Sequence, residues 1–287
     1  MTSAFTTPTT RRRNDHQRRE STSDRLDASQ PSSARRYDYW LGGKDHFAAD
    51  RHSGDRIATA FPTVHTAAKE NRRFVHRAVT YLTGEAGIRQ LLDIGCGIPT
   101  TPTVHETAQR IAPAARVIYV DNDPMVIAHT RARTSSSPQG AVACLHADLR
   151  DPDSILNNPA LTSILDPNRP VAVLLCAVLH YLHDQDQPAE ILKRLKEALP
   201  PGSCLALTHA TLDPLPSATA LAVTELLGTG HGAIRPRTRA EVTALTAGLP
   251  LVQPGLVPVT RWRPHLPPQP HATAQATATY GLMAQLP

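Results

Sequence analysis

Residues 89–210 alternate between short apolar runs and amphipathic segments. The apolar runs predict strands at 89–95, 116–123, 141–148, 170–182 and 203–210. The amphipathic segments predict helices between these strands, at 103–112, 124–133 and 188–199. Because strands and helices alternate along the chain, we expect an α/β fold built on a mostly parallel, doubly wound sheet.

The two flanks of this region carry weaker patterns. Residues 66–83 place apolar side chains three and four positions apart, which predicts a helix that ends at Gly84. We expect this helix to belong to an N-terminal helical cap. The less regular C-terminal region predicts two helices and two closing strands, of which we expect one to be antiparallel. These elements fall at 216–228, 238–248, 251–259 and 277–284.

Composition indicates where the folded domain begins. Residues 1–33 are rich in Ser, Thr, Arg, Asp and Pro and have almost no apolar content, so we expect a disordered basic tail. A single domain should occupy residues 34–287. We divide it into the cap, a core, a helical segment and the closing strands, at 34–84, 85–211, 212–250 and 251–287.

Charge narrows the class of protein. The net charge is +5, but residues 1–36 hold eight Arg against four acidic residues, so the remaining body is close to neutral. We therefore expect no nucleic-acid partner. No apolar run approaches the ~20 residues of a membrane helix, and no secretory leader is evident, so we expect a cytoplasmic protein without membrane contact. The four cysteines lie far apart without a CxxC motif, which argues against a zinc site.

The first candidate chemistry is a glycine turn that follows the first predicted strand. It reads Asp93-Ile-Gly95-Cys-Gly97-Ile-Pro-Thr100. Glycines between a strand and a helix let the backbone turn tightly and approach a ligand at the carboxyl end of the sheet. The dinucleotide fingerprint requires a third glycine where this chain has Thr100. A carboxylate two positions before Gly95 would repel a diphosphate and attract a cation or an amino group.

Carboxylates also end the next two predicted strands. Asp121 suits hydrogen bonds to a ribose diol, whereas Asp123 suits the N-cap of the following helix. Asp148 suits an adenine amino group, with Leu149 covering the ring, although taken alone Asp148 fits a turn residue equally well. Together with Asp93, these acids favour a ligand that has a positive centre, a ribose and an adenine but no phosphates. S-adenosylmethionine (SAM) is such a ligand.

Several stretches resemble a known family. LLDIGCGIPT, YVDNDP, HADLRDP and VAVLLCAVLHYL resemble the strand-end motifs of class I, Rossmann-like SAM-dependent methyltransferases. With RRYDYWLGGKDHFAADR, TVHETAQ, ALPPG and PGLVPVTRWRP, the chain resembles more narrowly the bacterial family once named DUF574, over roughly residues 32–287. It departs from that pattern at His46, where Asn is expected, and at Cys96, which is often Ser. The resemblance implies a methyltransferase that binds SAM through strand-end residues, Asn122 and Ala177 included.

The stretch RRYDYWLGGKDHFAADR concentrates four of the twelve aromatic residues of the chain. The resemblance implies that this segment folds over the SAM site. Tyr37, Trp40 and Phe47 would exclude water there. Gly42 and Gly43 would let the backbone pass close to the ligand. The alternative is that the rings only anchor the segment to the core.

Methyl transfer requires alignment and desolvation, and it requires a base only where the acceptor must lose a proton. We expect His180 and Tyr181 to face the gap between cofactor and acceptor, which makes them the candidate catalytic residues. The alternative for His180 is a packing or backbone-bonding role. No metal is expected, because His105 and Glu106 fit helix capping and no third ligand is evident.

The sequence therefore predicts a SAM-dependent methyltransferase that acts on a small-molecule acceptor, with residues 212–250 forming part of the acceptor pocket. The many Ala, Arg and Pro residues are typical of GC-rich bacteria, where such enzymes often serve specialised metabolism. One alternative is an NAD(P)-dependent oxidoreductase on a Rossmann-like sheet, which Thr100 and the missing Y-x-x-x-K argue against. A nucleic-acid methyltransferase conflicts with the near-neutral body. A SAM-binding protein without methyl transfer stays open, since fold does not determine function.

Overall fold

The computed structural model describes residues 27–229, 234–264 and 272–286. Within these ranges a seven-stranded sheet has the order β3-β2-β1-β4-β5-β7-β6. The strands are β1 Gln90–Ile94, β2 Arg116–Asp121, β3 Ala141–His146, β4 Ala172–Cys176, β5 Cys204–Ala210, β6 Val257–Pro258 and β7 Thr279–Gln285. Strands β1 to β5 pair in parallel, and β7 is antiparallel to β5 and β6. The predicted mostly parallel sheet with an antiparallel C-terminal strand is confirmed.

Helices precede the sheet and connect its strands. The N-terminal helices are α1 Ser33–Leu41, α2 Ala48–Ala60 and α3 Val64–Gly84. The connecting helices are α4 Val104–Ile111, α5 Pro124–Arg133, α6 Pro152–Leu156, α7 Pro159–Ile164 and α8 Pro188–Ala198. The C-terminal helices are α9 Ser217–Gly228, α10 Arg239–Leu245 and α11 Ala274–Thr277. In the described part of the chain, no helix is both long and apolar enough to cross a lipid bilayer.

The core lies on both faces of the sheet. Along β1, Leu92 and Ile94 pack on one face and Leu91 packs on the other, because successive side chains of a strand point in opposite directions. Residues of α8 cover the first face, and residues of α3 and α4 cover the second. Every residue of β1 is buried, as the continuous apolar run predicted.

The order of the strands determines where a ligand can bind. Strand β1 pairs with β2 on one side and with β4 on the other, so the chain reverses its direction of winding next to β1. In open parallel sheets, the crevice at the carboxyl ends of the strands opens at this switch point.

Two strand predictions were too long. The predicted strand 170–182 ends at Cys176, and a 3₁₀ helix spans Leu179–Tyr181. The apolar pattern continues because Leu179 and Leu182 are buried in the core without being in the sheet. In the predicted strand 251–259, only Val257–Pro258 pairs with β7, apart from a single bridge at Leu251. Pro254, which lies in the unpaired part of this stretch, lacks the N–H that a ladder requires.

Ordered structure begins before the predicted boundary of the tail. Residues 1–26 of that tail lie outside the described residues. Within residues 27–33 of the predicted tail, the backbone N–H of Ser32 donates to Asp50 Oδ1 at 2.8 Å, and Ser33 begins α1. The boundary of the domain therefore lies N-terminal to Ser32.

Candidate functional site

A first cavity of about 320 Å³ lies where β1 to β4 end, with α1 and α3 beside it. It brings together most of the predicted site residues. Those that line it are Tyr37, Asp93, Gly95, Gly97, Asp121, Asn122, Asp148, Leu149, Ala177 and Tyr181. Gly42, Gly43 and His180 do not line it. Motifs from four strands and from the N-terminal cap therefore converge on one space.

The glycine turn after β1 has the tight geometry that the sequence predicted. Gly95 and Gly97 have positive φ angles of 72° and 65°. A Cβ atom at Gly95 would lie 2.5 Å from Val178 Cγ2, so a larger residue does not fit. The N–H of Gly97 donates to Asp121 Oδ2 at 2.9 Å, which connects the turn to the end of β2.

Two buried carboxyl groups face this cavity. Burial raises the pKa of Asp93 to about 7, with Arg72 lowering it and Asp121 adding to the rise. Burial also raises the pKa of Asp121 to about 6, against the lowering effect of N–H donors from Asp123 and Gly97. Because a nearby cation favours the ionised form, both sites would be more strongly charged with a positive ligand bound.

The predicted division of roles after β2 is found in part. Asp123 Oδ1 accepts the N–H of Met125 at 2.9 Å, which confirms Asp123 as the N-cap of α5. Asn122 Nδ2 donates to Asp148 Oδ2 at 2.9 Å. Burial raises the pKa of Asp148, but hydrogen bonds from Arg150 and Asn122 outweigh it, and the pKa lies below its ordinary value. Asp148 is therefore ionised and held in place at the cavity.

The hydroxyl group of Tyr37 both donates and accepts a hydrogen bond within the protein. It donates to the carbonyl oxygen of Ala68 at 3.0 Å and accepts from Asn71 Nδ2 at 2.8 Å. Because the single hydroxyl proton goes to Ala68, Asn71 must present its NH₂ group to Tyr37. Asn71 Oδ1 is buried and has no partner. Burial raises the pKa of Tyr37 to about 12, so the phenol stays neutral.

Sequence reasoning missed Asn71 and Arg72, which both line the first cavity. Arg72 Nη2 donates to the carbonyl oxygens of Thr100 and Pro102, each at 3.1 Å, and its buried Nε has no partner. The available signal was Asn71 itself, a polar residue on the apolar face of the predicted helix 66–83, since a buried polar group requires a partner.

Gly42 and Gly43 shape a turn, which corrects the expectation that their backbone passes close to the ligand. Gly42 ends α1 with a positive φ of 83°. A Cβ atom at Gly43 would overlap the buried carboxylate of Asp38. That carboxylate accepts the N–H of Asp45 at 2.9 Å and contacts His46 Nδ1 at 3.0 Å. The pair of glycines thus lets α1 and α2 fold back on each other.

The aromatic residues of the same stretch divide between the two expected roles. Tyr37 lines the first cavity. Trp40 lines a second cavity, and its Nε1 lies 3.4 Å from the carbonyl oxygen of Gly54. Phe47 lines neither cavity and packs against the Arg35 guanidinium, 5.3 Å from the ring centre. Phe47 therefore anchors the segment.

The second cavity has a volume of about 150 Å³ and is mainly apolar. Its apolar side chains include Trp40, Ile57, Phe61, Leu215, Val223 and Leu226. It shares four lining residues with the first cavity, namely Tyr37, Asn71, Ala177 and Tyr181. The two cavities are therefore adjacent.

His180 lines the second cavity rather than the first. Burial lowers its pKa to about 3, with His209 and Arg237 adding to the effect, so the ring is neutral. The N–H of Ala210 donates to His180 Nδ1 at 3.4 Å, which places the ring proton on Nε2. In this tautomer His180 donates hydrogen bonds at Nε2 and cannot accept a proton there.

The neighbouring titratable groups are also neutral. Burial raises the pKa of Tyr181, although Arg36 and Ser33 oppose the shift. Burial lowers the pKa of His209 to about 4. Both nitrogens of His209 are occupied, since Nδ1 lies 2.8 Å from the Ala210 carbonyl oxygen and Nε2 lies 3.2 Å from Arg237 Nη1.

His105 and Glu106 have the structural role that the sequence favoured. Glu106 forms a capping box with Thr103 at the start of α4. His105 Nδ1 lies 2.9 Å from the hydroxyl of Tyr119. Over residues 27–229, 234–264 and 272–286, no group of three potential metal ligands is found.

The strand order, with a glycine turn that faces strand-end carboxylates, is the architecture expected of a class I SAM-dependent methyltransferase. A model of the S-adenosyl methyltransferase family matches residues 19–287, and the chain belongs to that family. SAM is therefore its cofactor.

Solved structures agree with this assignment. The crystal structure of a DUF574 family protein from Streptomyces avermitilis has a TM-score of 0.87 and 41% identity, over 92% of this chain and 100% of that chain. A candidate methyltransferase from Thermobifida fusca has a TM-score of 0.82 and 38% identity, over 90% of this chain and 96% of that chain. No curated protein matches the chain. The predicted resemblance is confirmed, and the oxidoreductase alternative has no support.

Proposed function

We propose that this enzyme transfers a methyl group from SAM, held in the first cavity, to a small-molecule acceptor held in the second cavity. The observation that carries the proposal is the wall shared by the two cavities, formed by Tyr37, Asn71, Ala177 and Tyr181. Ligands on either side of this wall would be close neighbours, as methyl transfer requires. The small second cavity favours a small molecule over a nucleic acid. A composition typical of GC-rich bacteria supports a place in specialised metabolism.

The residues of the first cavity fit SAM. Asp93 and Asp121 are carboxyl groups with raised pKa values, and a cation would stabilise their ionised forms. The unpartnered Nε of Arg72 suits the carboxylate of the methionine part. Asn122, Asp148 and Leu149 suit the adenosine part. Gly95 and Gly97 would let the ligand approach the backbone.

When bound, SAM supplies a methyl group on a positively charged sulfur. The chain contributes the position of the acceptor. Tyr37 is held at the shared wall by Ala68 and Asn71. Asn71 Oδ1, which lacks a partner, suits the O–H or N–H of an acceptor and would orient its lone pair. The apolar side chains of the second cavity would exclude water.

His180 and Tyr181 are the catalytic candidates in this proposal. Both line the second cavity, and both are neutral. We propose that they orient the acceptor by donating hydrogen bonds. A base role for His180 would require the other ring tautomer. Proton loss therefore depends on the acceptor, and an acceptor with a neutral nucleophilic nitrogen needs no base before transfer.

Calorimetric titration with SAM and with NAD tests the proposed use of the first cavity. We expect SAM to bind and NAD not to bind. Asp93→Asn should weaken SAM binding by about tenfold or more, because it removes a carboxylate from a buried site for a cation. Asp153→Asn, on the exposed surface of α6, is the matched control and should bind SAM as the wild type does. Equal affinities of the wild type and the Asp93→Asn variant would contradict this assignment.

A further inference from the structure

Arg36 differs from the other residues of the second cavity. Among the described residues that line this cavity, Arg36 alone carries a full charge, since His180 is neutral. The side chain is buried, with 6% relative exposure of the residue, and its Nε has no hydrogen-bond partner. A guanidinium group therefore faces a small, mainly apolar space.

Two other buried arginines of this fold show what Arg36 lacks. The adjacent Arg35 pairs with Asp50, with 2.7 Å between Nε and Oδ2. Arg237 pairs with Asp184, with 2.9 Å between Nη2 and Oδ1. Arg36 has no such ion pair with any carboxylate in the part of the chain that the structure describes. Its side chain forms a hydrogen bond with the neutral hydroxyl of Tyr181, which carries no compensating charge.

An unpaired buried charge is costly, so a site that retains one requires a compensating ligand. Arginine presents a planar fork of donors that matches a carboxylate, and this match is best where water is excluded. The second cavity provides the buried, unpaired arginine and a mainly apolar lining. The chemistry that would satisfy Arg36 is therefore a carboxylate supplied by the acceptor.

The volume and lining of the cavity limit the rest of the acceptor. The second cavity has a volume of about 150 Å³. An apolar cavity of about this volume holds a molecule of the size of benzene. Trp40 and Phe61 offer aromatic surfaces there, and Leu215, Val223 and Leu226 offer aliphatic ones. This lining suits one apolar ring or a short branched chain.

Building on the function proposed above, we infer that the methyl acceptor is a small carboxylic acid with a single-ring apolar body. Its carboxylate pairs with Arg36, and its ring lies among the apolar side chains of α2 and α9. The group that receives the methyl is then a second substituent, a hydroxyl or an amine, at the wall shared with the first cavity. Arg36 determines specificity by selecting acids over their neutral analogues.

Two probes that differ only in charge test this inference. Full-length protein saturated with S-adenosylhomocysteine is titrated with benzoate and with benzamide, and binding is followed by calorimetry and by ligand-observed NMR. We expect benzoate to bind about tenfold or more tightly than benzamide, because only benzoate forms a charge-assisted bidentate pair. Equal binding of the two probes, or no binding of benzoate, would overturn the inference.

Variants test whether Arg36 is responsible for the preference for benzoate. Arg36→Met should abolish the preference for benzoate, and Arg36→Lys should keep part of it, since lysine retains the charge but loses the fork. Arg56→Met, which removes an exposed arginine from α2, is the matched control and should keep the full preference. Val223→Trp should fill the cavity and exclude both probes.

Binding of S-adenosylhomocysteine is measured separately for every variant. If the wild type does not bind it, the proposed function fails. If the wild type binds it without discriminating benzoate from benzamide, the proposed function stands and only the acceptor inference fails. A large loss of S-adenosylhomocysteine affinity in Arg36→Met would assign Arg36 to the cofactor and also overturn the inference.

Discussion

Burial and charge act against each other at Asp93. The side chain is buried at the end of β1, and the loss of hydration raises its pKa to about 7 although Arg72 lies nearby. In the free protein near neutral pH, a substantial fraction of this carboxyl group is therefore protonated. Asp121, with a pKa of about 6, behaves in the same way at lower pH.

Binding of SAM should therefore release protons. A bound cation favours the ionised carboxylates, so the pKa values of Asp93 and Asp121 fall when the ligand binds. Calorimetry at pH 6.5 in two buffers of different ionisation enthalpy measures the protons released. We expect net release that decreases as the pH rises above about 7, and an affinity that increases with pH up to about 7 and levels off above it.

The matched variant for this measurement is Asp93→Asn, which should release fewer protons than the wild type. Proton uptake by the wild type, or a release that Asp93→Asn leaves unchanged, would show that Asp93 does not face the positive part of the ligand.

At the scale of elements, the fold-back of α1 on α2 depends on one buried acid. Asp50 accepts the N–H of Ser32 and of Phe47, each at 2.8 Å, and pairs with Arg35 at 2.7 Å. This arrangement holds Arg36 and Tyr37 in place, because both belong to the same helix as Arg35.

Arg35→Met should destabilise this segment. Removing one partner of a buried ion pair leaves the other charge uncompensated, which typically costs about 3–5 kcal/mol. We expect a lower urea midpoint, together with weaker SAM binding because the helix that carries Tyr37 is held less firmly at the cavity. Arg51→Met on the exposed side of α2 is the control. A wild-type urea midpoint for Arg35→Met would mean that other contacts hold the fold-back.

Elements with a clear local pattern were predictable from the sequence. The helix predicted at 124–133 has the bounds Pro124–Arg133 because Asp123 caps it and Pro124 suits its first turn. The same signal precedes α6 and α7, at Asp151-Pro152 and Asn158-Pro159, although the hydrophobic pattern predicts no helix there. Helices α1 and α2 were not predicted, since the many aromatic and charged residues of that stretch give no clear helical period.

The candidate site was predictable where its residues follow strands. Strand ends meet at one edge of a parallel sheet, so the sequence alone places the acids together. Asn71 and Arg72 were not predictable in this way, because they reach the cavity from α3 through tertiary packing. The same reason applies to Arg36, which the sequence shows only as one arginine in a basic stretch.

At the scale of the molecule, buried neutral histidines make stability dependent on pH. Burial lowers the pKa of His76 to about 4, as it lowers that of His180 to about 3 and of His209 to about 4. An unfolded histidine titrates near 6.5, so below that pH the unfolded chain takes up protons that the folded histidines exclude. Their contribution is complete above about pH 6.5 and is lost as the pH falls. Asp93 and Asp121 act in the opposite direction between about pH 4 and 7, because their folded pKa values are raised.

Burial also lowers the pKa of His105, so four histidines act against two aspartates. We therefore expect the free energy of unfolding to fall between pH 6.5 and pH 4.5. Urea denaturation at pH 7.0, 6.0 and 5.0 measures it. Bound SAM should make the fall steeper, since it keeps the two carboxyl groups ionised and removes their opposing contribution. Stability that rises on acidification would show that the aspartates dominate.

The wall common to the two cavities also has a thermodynamic consequence. Tyr37 and Tyr181 each line both cavities, so a ligand bound in one cavity contacts rings that also line the other cavity. Any energetic coupling between two bound molecules is reciprocal: the factor by which donor occupancy alters acceptor affinity equals the factor in the opposite direction. If SAM and the acceptor bind in a fixed order during turnover, that order would thus reflect the rates at which they bind and dissociate. The overall free energy of binding both molecules is the same in either order.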